Sequence, residues 1–222
     1  MKETAIKTFA ELHKLIENFD ARTVIYRGVK SVQLPLIPKI GRITPLESVK
    51  SRGWNEKEIL RLFKEQALPY LDFMPDNDWD WLTLGQQYGL PTRLLDWTAN
   101  PLVACYFAVT EPDEDDSVIY VYKNTSYIDV KQHRDPFKYK GVGKFIPRHL
   151  SRRITTQGGL FTIHPRPYAP FESDELQKII IPNGIRSTLK KTLSRYGVDH
   201  FSLFPGLDSL AAHIEWLQSR EY

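Results

Sequence analysis

The residues best suited to chemistry in this 222-residue sequence lie in one polar turn between two apolar segments. The turn Asp96–Thr98 follows an apolar pair and precedes Asn100–Pro101. Because Asn caps helices well and Pro suits their first position, the pattern predicts a strand, this turn and then a helix. Side chains at such a junction can face a cleft. The same residues also suit a purely structural role, with Arg93 paired to Asp96 and Trp97 in the core.

A second candidate for chemistry is Arg27, which closes a segment of strand composition, Thr23–Tyr26. A guanidinium can donate to two phosphate oxygens at once, and the following Gly28 allows a tight exit and a close backbone approach to a ligand. The pattern therefore indicates a phosphate-binding arginine. The structural alternative is a strand-end arginine that pairs with Asp96 or Asp208 to close the core.

Composition and motif content exclude several common classes of protein. A chain with 41% hydrophobic residues can bury a sizeable core as one domain, and no apolar run approaches the roughly 20 residues of a membrane span. We therefore expect a cytoplasmic protein without membrane contact. The single Cys105 indicates no disulfide framework, and the six histidines lack metal-ligand spacing, so we predict no metal. No GxGxxG, GxxxxGK[ST], HExxH or GxSxG motif occurs.

The charged residues indicate solvated surfaces and do not by themselves indicate a nucleic-acid-binding protein. The net charge is +3, and the basic residues concentrate in 138–153 and 186–195. Such clusters are typical of solvated faces, although an anionic ligand is compatible with them. The acidic run 111–116 is interpreted as an exposed loop.

The elements that must position these residues follow from hydrophobic periodicity and capping signals. In order along the chain they are a helix within 1–20, a strand at 23–26, helices after Asn55 and over 79–87, a helix over 101–109, strands at 118–122, 159–164 and 178–181, and helices over 187–196 and from 208. The first half is thus largely helical. The sequence predicts an α+β fold in a single domain over 1–222, with an N-terminal helix in 1–20 and a core over 22–217.

Three motifs in this order resemble those of the bacterial FRG-domain family, which is named after its (F/Y)RG motif. They are Tyr26-Arg27-Gly28, residues 91–98 and residues 157–162, with further matches at 34–38 and 203–208. The resemblance covers about residues 24–217.

The same motifs are distantly similar to the ADP-ribosyltransferase fold, which implies a mostly antiparallel, split β-sheet flanked by helices and NAD as the substrate. In that fold an arginine ends the first core strand, a Ser-Thr-Ser strand leads into a helix, and a later glutamate acts on the nicotinamide ribose. Arg27 takes the first place and Asp96–Thr98 the second, while the third falls at Gln157 or near Glu175. The chain departs from the pattern where Asp96 replaces the first serine and Lys178 replaces the expected glutamate.

This second resemblance implies roles for particular residues. Arg27 would bind phosphates, Thr98 the ribose or the nicotinamide amide, and Asp96 or Gln157 would face the developing sugar cation. Glu175 is either displaced into the glutamate's role or a surface acid. The implied catalytic residues are Arg27, Asp96, Thr98, Gln157 and Glu175, and the implied cofactor-binding residues are Tyr26, Arg27, Gly28, Arg93, Trp97 and Phe161. Tyr26, Trp97 or Phe161 would stack on nicotinamide or adenine, although Trp97 also suits the core.

Two functions of different classes follow from these resemblances. The first is an NAD-consuming transfer of ADP-ribose to a nucleic acid or protein, in a toxin or phage-defence effector with a neutralising antitoxin as a partner. The alternative is a non-catalytic module that holds a nucleotide, nucleic acid or protein in the same arginine-lined cleft. A metal-independent nuclease would need Asp96 and a histidine as a general acid–base pair, which no spacing favours.

Overall fold

The computed structural model describes residues 1–44, 55–123, 126–147 and 156–219. Within these ranges the chain forms seven strands and eight α-helices. In chain order they are β1 (Lys2–Ala5), α1 (Phe9–Ile16), β2 (Val24–Val29), α2 (Lys39–Arg42), α3 (Glu56–Ala67), α4 (Asp78–Gln87), β3 (Leu94–Thr98), α5 (Pro101–Val109), β4 (Ser117–Lys123), β5 (Gly143–Phe145), β6 (Gly159–Ile163), β7 (Leu176–Ile181), α6 (Arg186–Arg195), α7 (His200–Leu203) and α8 (Leu207–Ser219). Short 3₁₀ turns lie at Leu68–Tyr70, Pro136–Lys138 and Asn183–Ile185. None of the helices in the described ranges has the length and apolarity that a bilayer span requires.

All seven strands form one open, mixed sheet in the order β1-β7-β4-β2-β3-β6-β5, so the fold is α+β. The pair β1–β7 is parallel, and the other neighbours are antiparallel. The segment 1–20 was expected to contain only a helix, yet Lys2–Ala5 forms an edge strand before α1. This strand exists because β7 offers it a free edge, where Glu3 forms an ion pair with Lys178 at 2.7 Å.

The sheet is nearly interrupted between β2 and β3. These two strands share the single residue pair Tyr26–Thr98, whereas Val24–Val29 of β2 pairs with β4 along its whole length. On its other side, β3 pairs with β6 from Leu94 to Thr98. An opening therefore begins at Arg27, directly after the one shared pair.

Apolar clusters lie on both faces of the sheet and on both sides of this opening. Helices α1, α5 and α6 pack on one side against β2, β4 and β7, and α3 and α4 pack on the other side against β3, β5 and β6. A third cluster, which includes Trp97 and Tyr120, lies on the opposite face beneath Leu36 and Phe171. Helix α5 is buried almost throughout, and burial raises the pKa of its Cys105 thiol to about 12. The thiol is thus a packing group.

The acidic run 111–116 is more ordered than the sequence predicts. Arg186 is fully buried and donates to the carbonyl oxygens of Glu111, Asp113 and Asp115. Asp116 accepts a hydrogen bond from the backbone N–H of Asn183 at 2.9 Å. The expectation that Arg186 belongs to a solvated basic face is therefore wrong, because its guanidinium satisfies the backbone of this loop.

Candidate functional site

A cavity of about 420 Å³ lies at the opening between β2 and β3. It is bounded by the ends of both strands, by the C-terminal end of α4, by α5 and by the start of β6. Its lining includes Tyr26, Arg27, Gly28, Gln86, Asp96, Trp97, Thr98, Gln157 and Phe161. Another cavity, of about 370 Å³, lies between α6, α7 and α8 and contains none of the residues that sequence analysis singled out.

Arg27 and Asp96 meet across the opening. The Nη1 group of Arg27 donates to the carbonyl oxygen of Asp96 at 2.7 Å and lies 3.4 Å from its Oδ2 atom. Of the two acids that the sequence offers as partners, the arginine therefore uses Asp96 rather than Asp208. The Nε atom of Arg27 is buried without a hydrogen-bond partner, and among the described residues nothing accepts from Nη2. Nη2 is thus left to donate to a ligand, whereas Nε is covered by protein atoms.

The Asp96 carboxylate is held by a chain of hydrogen bonds that begins in the preceding loop. The backbone N–H of Leu94 donates to Thr92 Oγ1, which donates to Gln86 Oε1 at 2.6 Å. This contact orients the amide of Gln86 so that its Nε2 donates to Asp96 Oδ2 at 2.9 Å. The Asp96 side chain is 55% exposed, and none of the described residues donates to its Oδ1 atom. One carboxylate oxygen therefore remains available to a ligand.

Thr98 and Gln157 line the cavity, but their polar groups are engaged in the fold. Thr98 Oγ1 donates to the carbonyl of Gln157 at 2.6 Å and accepts from the N–H of Asn100 at 2.9 Å. The amide nitrogen of Gln157 donates to the carbonyl of Leu203 in α7 at 3.1 Å. These contacts fix the turn before α5 and connect it to the C-terminal end of α7.

The three predicted stacking residues form walls of the cavity and are largely buried. Trp97 is 3% exposed, and its Nε1 donates to Thr162 Oγ1 at 2.8 Å. Phe161 is 4% exposed and packs against Phe145. Tyr26 is 2% exposed, and burial raises its pKa to about 12. A ligand could touch the edges of these rings, but their faces are mostly covered by the core.

The packing of helix α5 against β2 requires glycine at position 28. A Cβ atom at this position would lie 1.9 Å from the carbonyl oxygen of Ala104 and 2.6 Å from the nitrogen of Ala108. Both are backbone atoms of α5, so they cannot move aside without distorting the helix. Gly28 lines the cavity, but the predicted tight exit from the strand is wrong, because β2 continues through Gly28 to Val29. The contact between strand and helix requires glycine here.

A comparison with protein families identifies this region of the chain. Residues 22–117 match the family model of the FRG domain. The similarity covers 96 of the 222 residues, and this matched segment is referred to as the FRG domain. The matched segment contains both Arg27 and Asp96, and it ends at the start of β4. Neither a curated protein nor a solved structure matches the chain.

Within the FRG domain, Arg93 lies outside the cavity. Its backbone N–H and its Nε donate to the two carboxylate oxygens of Glu56, each at 2.7 Å, and its guanidinium lies 4.8 Å from the ring centroid of Phe137. Glu56 is 4% exposed, and burial raises its pKa, against the opposing effect of Arg93. This ion pair attaches the start of α3 to the segment before β3, so Arg93 has a structural role in the FRG domain.

Glu175, which follows the FRG domain in the chain, is also outside the cavity. It is exposed just before β7, and β4 separates that strand from β2. The register aligns Arg27 with Tyr120 of β4 and Tyr120 with Lys178 of β7. Lys178 hydrogen-bonds Glu3, which raises the pKa of the lysine. A cation with its own partner therefore occupies the position where the distant resemblance expects a catalytic glutamate.

Three charged residues of the FRG domain line the cavity although sequence analysis did not select them. Lys30 Nζ lies 3.2 Å from Glu111 Oε2, and Arg42 at the end of α2 forms part of the mouth. Partial burial and then the charge of Arg27 lower the pKa of Arg42, although its side chain is largely exposed. The only sequence signal for Lys30 was its distance of three residues from Arg27, and Arg42 and Glu111 reach the cavity through tertiary packing.

Proposed function

We propose that this chain binds NAD in the cavity between β2 and β3 and transfers ADP-ribose from it to a macromolecular acceptor. The observation that carries the proposal is the arrangement of Arg27 and Asp96. Among the described residues, nothing accepts from Nη2 of the arginine and nothing donates to Oδ1 of the carboxylate, and both side chains line the same cavity. A phosphate group and a developing positive charge are the ligands that these two groups favour.

Arg27 would bind the diphosphate of NAD. Its side chain is 20% exposed, so a hydrogen bond to phosphate forms where water competes weakly. Arg42 at the mouth would supply a second positive charge. Arg27 and Arg42 line the same cavity, so both can contribute positive charge to one bound anion.

Asp96 would act at the ribose. The bond between C1′ and the nicotinamide nitrogen breaks, and nicotinamide leaves with the electron pair as a neutral molecule. The positive charge then lies on the sugar, where the free Oδ1 of Asp96 would stabilise it. The acceptor forms the new bond to C1′ and loses its proton to Asp96 or to water. Gln86 would keep the carboxylate in place through its hydrogen bond to Oδ2.

The decisive experiment measures NAD binding and nicotinamide release by the same variants. Arg27→Ala should abolish binding, whereas Asp96→Asn should retain binding and lower the rate of nicotinamide release about 10²–10³-fold. Asparagine can still accept from Gln86, so this variant should fold. Arg22→Ala and Asp174→Asn, which alter exposed residues outside the cavity lining, are the matched controls. Unchanged release by both cavity variants would contradict the proposal.

A role as a toxin or phage-defence effector would follow from modification of an essential macromolecule. Expression of the wild-type chain should then slow growth, and Asp96→Asn should relieve this effect at equal protein level. A neutralising partner would act by covering the cavity mouth. Equal growth with both chains would argue against this role.

The second candidate function is a non-catalytic binding module. It is favoured by the engagement of Thr98 and Gln157 in structural hydrogen bonds and by the position of Glu175 outside the cavity. The described lining of the cavity contains two carboxylates, Asp96 and Glu111, and each lies beside a cation. The distance is 3.4 Å from Asp96 to Arg27 and 3.2 Å from Glu111 to Lys30. Nucleotide binding that depends on Arg27, without any release of nicotinamide, would support this candidate.

A further inference from the structure

Two other segments contact α2, whose last residue, Arg42, lines the cavity. Lys39 Nζ donates to the carbonyl of Gly89 at 2.6 Å, which attaches α2 to the turn after α4. On another side of α2, a Cβ atom on Gly41 would lie 2.0 Å from the carbonyl oxygen of Pro167. Tyr88 and Tyr168 are the chain neighbours of these two contact residues, so the two tyrosines flank α2.

The rings of both tyrosines are largely exposed. Tyr88 is 74% exposed and Tyr168 is 59% exposed. Within the described ranges, neither ring stacks on another aromatic ring or on a cation. Exposed aromatic faces of this kind are suited to stacking on unpaired nucleic-acid bases, which is tolerant of sequence because every base has a π-face.

Positive charge accompanies the two rings. Lys39 and Arg42 are exposed on α2, and Arg166 is exposed on the segment of Tyr168. Neither arginine forms an ion pair with a described residue. On the segment of Tyr168, the first acids are Glu172 and Asp174, which follow Phe171. The backbone N–H of Phe171 donates to the carbonyl oxygen of Leu36. Unpaired arginines next to exposed tyrosines favour a ligand that alternates phosphates with planar rings.

We propose that these five residues, Lys39, Arg42, Tyr88, Arg166 and Tyr168, form a binding surface for single-stranded nucleic acid. A single strand is favoured over a duplex because only unstacked bases can lie against both rings. The inference rests on the proposed function and names its acceptor: Arg42 belongs to this surface and also lines the cavity. A strand held here therefore passes the mouth, from which a base or sugar hydroxyl can approach the sugar carbon next to Asp96.

The test measures binding of fluorescein-labelled 12-nucleotide single-stranded RNA and DNA, and of a duplex, by fluorescence anisotropy. Tyr88→Ala/Tyr168→Ala should weaken single-strand binding at least about tenfold. Arg166→Ala should weaken it several-fold and reduce the slope of log K against log salt by about one. The controls are Tyr70→Ala, whose ring is 86% exposed elsewhere, and Arg195→Ala on α6; both should bind as the wild type does. Circular dichroism of each variant checks the fold.

The outcomes separate this inference from the proposed function. Single-strand binding that depends on the two tyrosines, in a chain that does not consume NAD, would support the surface and overturn the transferase. Release of nicotinamide without binding of either strand would overturn the surface and indicate a protein acceptor. A duplex that binds as tightly as a single strand, or equal losses in the variants and the controls, would also overturn it. Preference for RNA or for DNA would name the acceptor.

Discussion

The guanidinium of Arg27 replaces a missing part of the β-ladder by donating to the backbone carbonyl of Asp96. This contact, at 2.7 Å, is shorter than the 3.4 Å between the same nitrogen and the carboxylate of Asp96. Because β2 and β3 share the single pair Tyr26–Thr98, the arginine side chain bridges the two strands just where backbone pairing stops. The residue thus combines a structural contact with the donors that a ligand would use.

Arg27→Lys should separate these two properties. An ammonium group keeps the charge, but it cannot donate to the Asp96 carbonyl and also present a planar pair of donors to phosphate. We expect the free energy of unfolding to fall by about 1 kcal/mol and NAD affinity to fall at least about tenfold. Urea denaturation and titration calorimetry would measure the two effects, with Arg22→Lys as the control. Wild-type affinity in this variant would show that a point charge is sufficient.

Gly28→Ala should destabilise the fold by about 3 kcal/mol, because the new methyl group would overlap the backbone of α5. Gly184→Ala is the matched control, since nothing lies within 4 Å of a Cβ atom there. Thermal and urea denaturation would compare the two variants. Equal stability of both would mean that β2 and α5 can separate without cost, which would contradict the packing role of this glycine.

Arg93→Ala should lower stability without altering nucleotide affinity in the folded protein. Its removal leaves Glu56 buried without a cation, a change that typically costs about 3–5 kcal/mol. Arg93→Ala/Glu56→Gln should recover part of the loss, because the uncompensated charge is gone. A loss of NAD binding at temperatures where Arg93→Ala is fully folded would instead support the binding role that sequence analysis gave to this arginine.

Stability should depend on pH through His164. Burial and then the charge of Arg27 lower the pKa of this histidine to about 4, below its ordinary value of 6.5. Between these two pH values the unfolded chain binds the proton more readily, so stability falls as pH decreases from 6.5 to 4, by about 3 kcal/mol in total from this group. Urea denaturation at pH 7 and pH 5 should show a smaller difference for His164→Asn. The exposed His13→Asn serves as the control.

Local signals predicted the order of strand, turn and helix around Asp96, because the residues that decide this order are neighbours in the chain. The turn predicted at Asp96–Thr98 is nevertheless wrong, because these residues continue β3 and pair with β6. β3 ends at Thr98, and α5 begins at Pro101, with the side chain of Asn100 accepting from the N–H of Leu102. The helix expected after Asn55 is α3, and the side chain of Asn55 accepts from the backbone N–H of Glu58. The helix expected from Asp208 is α8, which begins one residue earlier at Leu207.

Elements that depend on distant partners were not predictable in the same way. β1 and β5 are short edge strands that exist because β7 and β6 offer them partners. The meeting of Arg27 with Asp96 was expected from the order of motifs, and the structure places both at one cavity. Arg42 and Glu111 join them only through the packing of α2 and of the acidic loop, which local sequence does not encode.

The single residue pair between β2 and β3 makes the cavity a weakly paired boundary between two halves of the sheet, although the apolar cluster of Trp97 and Tyr120 packs across both halves. The α1–α5–α6 cluster and the α3–α4 cluster are each anchored to their own strands, and little backbone pairing connects them at this point. A molecule that contacts Arg27 and Asp96 together would connect the two halves of the sheet. Binding of such a molecule should therefore slow amide hydrogen exchange in both halves of the sheet at once. This signal would report occupancy of the cavity by any small molecule, whatever chemistry follows.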